Sequence, residues 1–219
     1  MSEPMNRLHS LPPVAIGDIH GCLDLLNAAV EKFHDRHLVL LGDYVDRGPD
    51  DRGVLDRVRD LVEFGRATAL MGNHDDMMIR AVLEGRSAEV WLHNGGDVTM
   101  NEYGDDHGAL REDAVWMREH LQQHVIIGGT LFAHAMRPDP TGRDVDTHLW
   151  GRPDGSSPLY RLPKGVTHSV HGHTVVDEPV TAEASDGSIV WFIDTGAVHT
   201  GILTALDTAS WTTTELSAH

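Results

Sequence analysis

The sequence has one cysteine, Cys22, among 219 residues, so no disulfide can close within the chain. That is the usage of a reducing compartment. Basic charge is also scarce: 17 Lys and Arg against 34 Asp and Glu give a formal net charge of −17. A surface of that sign repels nucleic-acid backbones, whose binding depends on neutralisation by Lys and Arg, so no nucleic-acid partner is expected. It does not exclude a small phosphorylated ligand, because a buried cation can override the surface field locally. Long apolar runs are missing as well. No segment approaches the roughly 20 residues that span a membrane, and residues 1–13 are polar, without the apolar stretch of a signal peptide. These absences predict a cytoplasmic protein with no membrane partner. Aromatics make up 5% and hydrophobic residues 40%, which is ordinary for a soluble enzyme and argues against disorder. No repeat, low-complexity run or linker interrupts the chain. Residues 1–219 are therefore expected to form one domain, with 1–12 flexible.

Histidine, by contrast, is abundant, with sixteen copies, which directs attention to metal sites. The first half alternates strand-like and helix-like segments. Short apolar runs at 14–16, 38–41 and 67–71 each end in glycine followed by a polar residue: Gly17-Asp18, Gly42-Asp43 and Gly72-Asn73-His74. Between them, Leu23, Leu26, Ala29, Val30 and Phe33, and then Val54, Leu55, Val58, Leu61 and Val62, recur at helical spacing. A third helix is predicted from about residue 76 to 83. This βαβαβ rhythm implies parallel strands with crossover helices. Ligands of such sheets bind outside the carboxyl ends of the strands, so the three polar clusters should converge on one edge. Residues 87–123 read as mostly helical, interrupted at Asn94-Gly95-Gly96. The second half reads as strands at 125–127, 130–133, 169–170, 189–193 and 202–206. Between them, 137–165 reads as a long functional loop.

Five motifs carry the chemistry: Gly17-Asp18-Ile19-His20-Gly21; Gly42-Asp43-Tyr44-Val45-Asp46-Arg47-Gly48; Gly72-Asn73-His74-Asp75; Phe132-Ala133-His134-Ala135; and His171-Gly172-His173-Thr174. In this order they resemble the calcineurin-like metallophosphoesterases. Within these they look most like the phosphoprotein phosphatase family, including its small bacterial and phage-type members. The resemblance implies a four-layer α/β/β/α fold: two packed mixed sheets flanked by helices, with a dinuclear metal site at the carboxyl ends of the strands. It implies two divalent ions, manganese first, with iron or zinc as alternatives. Two cations held about 3.5–4 Å apart can lower the pKa of a shared water and neutralise phosphoryl oxygens during in-line attack. By resemblance Asp43 bridges the ions, Asp18 and His20 complete one site, and Asn73, His134 and His173 hold the other. His171 competes with His173 on composition, but the family places its ligand directly before the threonine. His74 matches the general acid and Asp46 its partner. Arg47 and Arg152 would clamp phosphoryl oxygens. Arg152 rests on Trp150-Gly151-Arg152, which resembles the Trp-x-Arg of bacterial and phage-type members.

Asn94, in a Trp-x-x-Asn-Gly-Gly pattern completed by Trp91, and His199, where many relatives carry Tyr or Phe, are expected on the substrate side. Asp194-Thr195-Gly196-Ala197, followed by Leu203-Thr204-Ala205-Leu206, matches the family's closing strand pair and reads as architectural. Asp75 stands where eukaryotic protein phosphatases carry Glu. Gly-Asn-His-Asp also occurs in symmetrical dinucleoside tetraphosphatases. The leading expectation is a metal-dependent phosphatase acting on phosphoserine and phosphothreonine, with phosphotyrosine as a further target, and with a phosphoprotein, phosphopeptide or small phosphorylated metabolite as substrate. The alternatives are a symmetrical bis(5'-nucleosyl)-tetraphosphatase and a catalytically silent binding module on the same fold.

Overall fold

The computed structural model describes residues 11–217; most of the segment expected to be flexible, 1–10, lies outside the described residues. Two five-stranded mixed sheets stack face to face, flanked by helices. In the first, β1 (Val14–Ile16), β2 (Leu38–Leu40) and β3 (Ala67–Ala69) are parallel. The crossovers are α1 (Leu23–Lys32) and α2 (Asp51–Glu63). Helix α3 (Asn73–Glu84) follows β3. Short α4 (Ala88–Trp91), a π-turn at Leu92–Gly96, α5 (Asp97–Tyr103) and α6 (His107–His120) fill the middle of the chain.

The second sheet contains β4 (His124–Ile127), β5 (Thr130–Ala133), β6 (His168–His171), β7 (Val180–Glu183) and β8 (Ile189–Phe192), in the order β4-β5-β6-β8-β7. Strands β5, β6 and β8 run parallel. A single helical turn, α7 (Thr147–Trp150), interrupts the loop expected at 137–165. After another turn, α8 (Ala197–Thr200), the chain returns to the first sheet. There β9 (Ile202–Asp207) pairs antiparallel with β1, and β10 (Thr212–Ser217) with β9.

Strand alternation explains the layering. Ala15, Val39, Leu41, Leu70 and Leu206 of the first sheet meet Phe132, Val170 and Ile193 of the second in the inter-sheet core. Their neighbours Val14, Ile16, Leu38 and Leu40 point the other way. They pack under α1, α2, α3 and α6 with Leu26, Val54, Met78 and Met117. Strands buried on both faces read as unbroken apolar runs, which is how β1 and β2 appear in the sequence.

Two differences from the sequence reading bear on the site. Helix α3 begins at Asn73 rather than near 76, so Asn73 and His74 occupy its first turn. Asp75 is the reason: its carboxylate accepts from Gly72 N at 2.8 Å and so caps the helix start. Strands β7 and β10 were not expected. Both are sheet edges with mostly exposed side chains, so they carry no apolar alternation.

Candidate metal centre

The carboxyl ends of β1, β2, β3, β5, β6 and β8 open on one cavity of about 470 Å³. Asp18, His20, Asp43, Arg47, Asn73, His74, Asn94, Arg152, His173 and His199 all line it. Of the residues singled out above as metal-binding, catalytic or substrate-side, only His134 and Asp46 are not on the wall. They are fully buried directly behind it.

Asp43 sits at the centre. Donor atoms of Asp43, His20 and His74 lie within 4.8 Å of one another, and so do those of Asp43, His134 and His173. One carboxylate is therefore common to two buried groups of donors. His20 Nε2 is 3.5 Å from Asp43 Oδ2, and His134 Nε2 is 3.5 Å from Asp43 Oδ1. Burial pushes the Asp43 carboxyl up, but His134, His74 and His20 pull it well below the ordinary range, so it is an anion. Gly72 makes this packing possible: a Cβ there would stand 2.1 Å from Asp43 Oδ1.

Each imidazole is aimed by its other nitrogen. His20 Nδ1 is 2.8 Å from Val45 O, and His134 Nδ1 is 2.9 Å from Leu41 O. With Nδ1 donating to a carbonyl, Nε2 carries a lone pair toward the cavity. His134 Nε2 lies 2.9 Å from Asn73 Oδ1, and the buried His173 Nε2 has no hydrogen-bond partner among the described residues. Arg47 Nη1 donates to His20 Nε2 at 3.0 Å, so a positive group already faces that lone pair. Buried, convergent lone pairs around a shared anion, one of them, on His173, without a partner among the described residues, are what divalent cations require, and the residues fit a metal pair. His171 turns elsewhere: Nδ1 bonds Ala133 O and the ring packs on Phe192.

Asp18 joins the cavity from the side. Both its oxygens accept from His173 N, at 3.1 and 2.9 Å. Burial, Asp194 and Asp43 all raise its pKa well above the carboxylate norm, a repulsion that a cation would relieve. Asp194, read as architectural, thus belongs to the site: it lines the cavity beside Asp18. Asp75 accepts from Asp43 N, Tyr44 N and Gly72 N, at 3.0, 3.0 and 2.8 Å, and so fixes the backbone that presents Asp43. Asp75→Leu leaves three buried N–H groups unpaired, each at about 1–3 kcal/mol. Urea unfolding should show a loss of several kcal/mol.

His74 Nδ1 is 2.6 Å from Asp46 Oδ2. Trp91 Nε1 donates to the same carboxylate at 2.9 and 3.2 Å, and Thr99 Oγ1 lies 2.6 Å from its other oxygen. Burial works against a charged His74, but Asp43 and Asp46 outweigh it and raise the imidazole above its usual value. Neither Trp91 nor Thr99 was assigned this place from sequence. For Trp91 the signal was available, because Asn94-Gly95-Gly96 holds it: a Cβ on Gly96 would be 2.5 Å from the indole. Asn94 itself lines the cavity with its amide turned back to Val90 O, and only its carbonyl meets Arg47 Nε, at 3.3 Å. Arg152 and His199 are exposed on the rim, with Trp150 beside them, 6.3 Å from the His173 ring.

Strain marks the same residues. Seven non-glycine residues among those described have positive φ, and five are His20, Asp43, Asp46, Arg47 and His173. Such conformations cost of order 1–3 kcal/mol each and concentrate at functional sites.

A family model for calcineurin-like phosphoesterases matches residues 11–177. The chain belongs to that family. This phosphoesterase is 33% identical over 205 residues to Serine/threonine-protein phosphatase 1 of Salmonella typhimurium (strain LT2), covering 86% of this chain and 88% of that one. It is 32% identical over 224 residues to the asymmetrical bis(5'-nucleosyl)-tetraphosphatase PrpE of Anoxybacillus flavithermus, covering 87% and 88%. A symmetrical bis(5'-nucleosyl)-tetraphosphatase of Ralstonia nicotianae shares 48% over 140 residues, 62% of this chain and 46% of that one. Among solved structures, a protein serine/threonine phosphatase from Saccharomyces cerevisiae superposes with TM-score 0.64 at 12% identity, covering 100% and 88%. A cold-active protein-tyrosine phosphatase from Shewanella gives 0.60 at 18%, covering 99% and 85%. Those two likenesses speak for the fold.

The buried imidazoles of this phosphoesterase predict acid lability. Burial lowers His20 to about 4, and His171 and His173 each to about 3. The unfolded chain takes up protons near 6.5 and the folded one does not, so the stability these three groups contribute is full above pH 6.5 and falls as pH drops toward the folded values, while the raised carboxyls of Asp18, Asp51 and Asp75 act in the opposite sense. The expected loss is roughly 1.4 kcal/mol per group for each pH unit below that point. Urea titrations of the metal-free protein and of His171→Asn across this range isolate one such share, since the difference between the two should shrink as pH falls below 6.5, and parallel profiles would contradict it.

Proposed function

We propose that the protein is a metal-dependent phosphatase that removes phosphate from phosphoserine and phosphothreonine, accepting phosphotyrosine as well. The observation that carries this reading is Asp43 shared between two buried donor groups, below a rim that holds Arg47 and Arg152. Asp18, His20 and Asp43 would hold one divalent ion and Asp43, Asn73, His134 and His173 the other, with manganese first. When bound, the pair supplies an activated water and neutralises charge on the phosphoryl group.

The chain's own residues do the rest. Arg47 leaves His20 and Asn94 and, with Arg152, forms fork-shaped contacts to phosphoryl oxygens, orienting the leaving oxygen toward His74. Asp46 fixes His74 with Nδ1–H toward itself, so Nε2 carries the proton given to the leaving oxygen. Substrate peptides or small phosphorylated metabolites approach along the open rim beside His199. The single cysteine fits a cytoplasmic protein, and among the described residues no helix is long and apolar enough to cross a membrane.

A second reading, a symmetrical dinucleoside tetraphosphatase, is favoured by Trp150. The residue is 38% exposed on the cavity wall, where a nucleobase could stack. Steady-state kcat/KM on a phosphoserine peptide and on diadenosine tetraphosphate, with manganese present, separates the two. The phosphatase reading expects the peptide to exceed the dinucleotide by at least about tenfold, and the reverse order would replace it. No manganese-dependent turnover on either substrate would leave the silent module.

A further inference from the structure

Behind His74 lies a second buried carboxyl that the mechanism above leaves unused. Asp51 is fully buried at the first position of α2. Its Oδ2 accepts from Asp46 N at 3.0 Å and lies 2.7 Å from Thr99 Oγ1. Its Oδ1 has no hydrogen-bond partner among the described residues. The same Thr99 oxygen is 2.6 Å from Asp46 Oδ1.

Counting hydrogens decides what this arrangement is. A threonine hydroxyl has one hydrogen, and an ionised carboxylate has none to give. With both aspartates ionised, one of Thr99's two short contacts would set lone pair against lone pair in a dry interior, where an unmade hydrogen bond is costly. One further hydrogen is needed. Asp46 is already supplied by His74 Nδ1 and Trp91 Nε1, whereas Asp51 has only one backbone N–H besides Thr99. The hydrogen therefore belongs on Asp51.

We propose that Asp51 is a neutral carboxylic acid that donates to Thr99, so that Thr99 donates to Asp46, and that this chain makes Asp51 a positioning residue for the Asp46–His74 pair. The proposal rests on the reading of His74 as general acid. The surroundings agree with it. The titratable groups facing Asp51 are Asp46 from the loop after β2, Cys22 at the head of α1 and Glu102 from α5. All are acids, and Glu102 is committed to the backbone N–H groups of Asp51 and Arg52. Burial is the largest cause that pushes the Asp51 carboxyl up. Thr99 and Asp46 N oppose it, the charges of Asp46 and Glu102 add to it, and the result is about 7. Near neutrality the chain therefore changes state, because an ionised Asp51 competes with Asp46 for the single Thr99 hydrogen.

The test uses metal-loaded enzyme and the variants Asp51→Asn, Asp51→Leu and Thr99→Val. The Asn amide nitrogen, in the place of Oδ2, donates to Thr99 as the acid does and cannot ionise, but it gives up the hydrogen bond that Oδ2 accepts from Asp46 N. At about pH 6, Asp51→Asn should keep at least about tenfold more kcat than Asp51→Leu on a phosphoserine peptide, with KM little changed. Thr99→Val should lose more on that peptide than on p-nitrophenyl phosphate, whose leaving group needs no proton. Between about pH 6 and 8.5 the ratio of Asp51→Asn to wild-type kcat should rise by at least about threefold. Infrared difference spectra of wild type against Asp51→Asn at the lower pH should show the C=O stretch of a protonated carboxylic acid. A missing band, or equal kcat losses in Asp51→Asn and Asp51→Leu, overturns the proposal. His74→Asn measured on the same two substrates keeps the readings apart. Equal losses there remove the general-acid role while the infrared band still reports the proton on Asp51.

Discussion

Asp43→Asn is expected to lower kcat/KM on p-nitrophenyl phosphate by on the order of 1000-fold or more, about 4 kcal/mol of transition-state stabilisation. The change is nearly isosteric, so packing against Gly72 survives. What disappears is the negative charge common to both donor groups. Two cations held on these groups would then repel each other without a shared anion, and His134, His20 and His74 lose the anion they face. Metal analysis of the purified variant should show fewer than two ions per chain. A variant with full metal content and near-normal kinetics would mean that Asp43 is not the bridge. The fold is expected to persist, because the backbone at this point is held by Asp75 and not by the Asp43 side chain.

His74→Asn should separate two classes of substrate. For alkyl phosphates, whose leaving oxygen must be protonated, the expected loss in kcat is roughly 100- to 10,000-fold, the ordinary contribution of a positioned acid. For p-nitrophenyl phosphate, which departs as a stable anion, the loss should be much smaller. Metal content should hold, since Asp18, His20, Asp43, Asn73, His134 and His173, the six residues proposed to hold the two ions, are untouched. The alternative is a structural role, in which His74 merely fills the space between Asp46 and His20, whose ring it meets edge-on at 4.7 Å. That role predicts equal losses on both substrates.

Much of this was legible in the sequence because the decisive residues follow strand ends. Glycine punctuation after three apolar runs located Asp18, Asp43 and Asn73 on one edge of a parallel sheet, and the structure brings them to one cavity. His134 and His173 were legible for the same reason, since each follows a strand of the second sheet. The edge strands were not. β7 has only exposed side chains and β10 mostly so, and a strand paired on one side carries too weak an apolar pattern to announce itself. The supporting polar network was also illegible. Thr99, Asp51 and Asp194 reach the site from turns and helix starts whose approach depends on tertiary packing, and isolated polar residues in those settings look like caps. Asp51 shows the difficulty well: it stands beside a true cap, Asp50, which accepts from Gly53 N at 2.9 Å.

The left-handed backbone at His20, Asp43, Asp46, Arg47 and His173 has a consequence for how the enzyme ages and evolves. Those five conformations are unfavourable on their own and are held by a grip of hydrogen bonds among the loops that leave the two sheets: His20 N to Asp43 O, Asp46 N to Asp51, Arg47 N to Gly95 O and His173 N to Asp18. A substitution deep between the sheets, at Val39 or Phe132 for example, slackens that grip before it unfolds the chain. Turnover should therefore fade while circular dichroism still reports a folded molecule, which makes catalysis the first casualty of a softened interior.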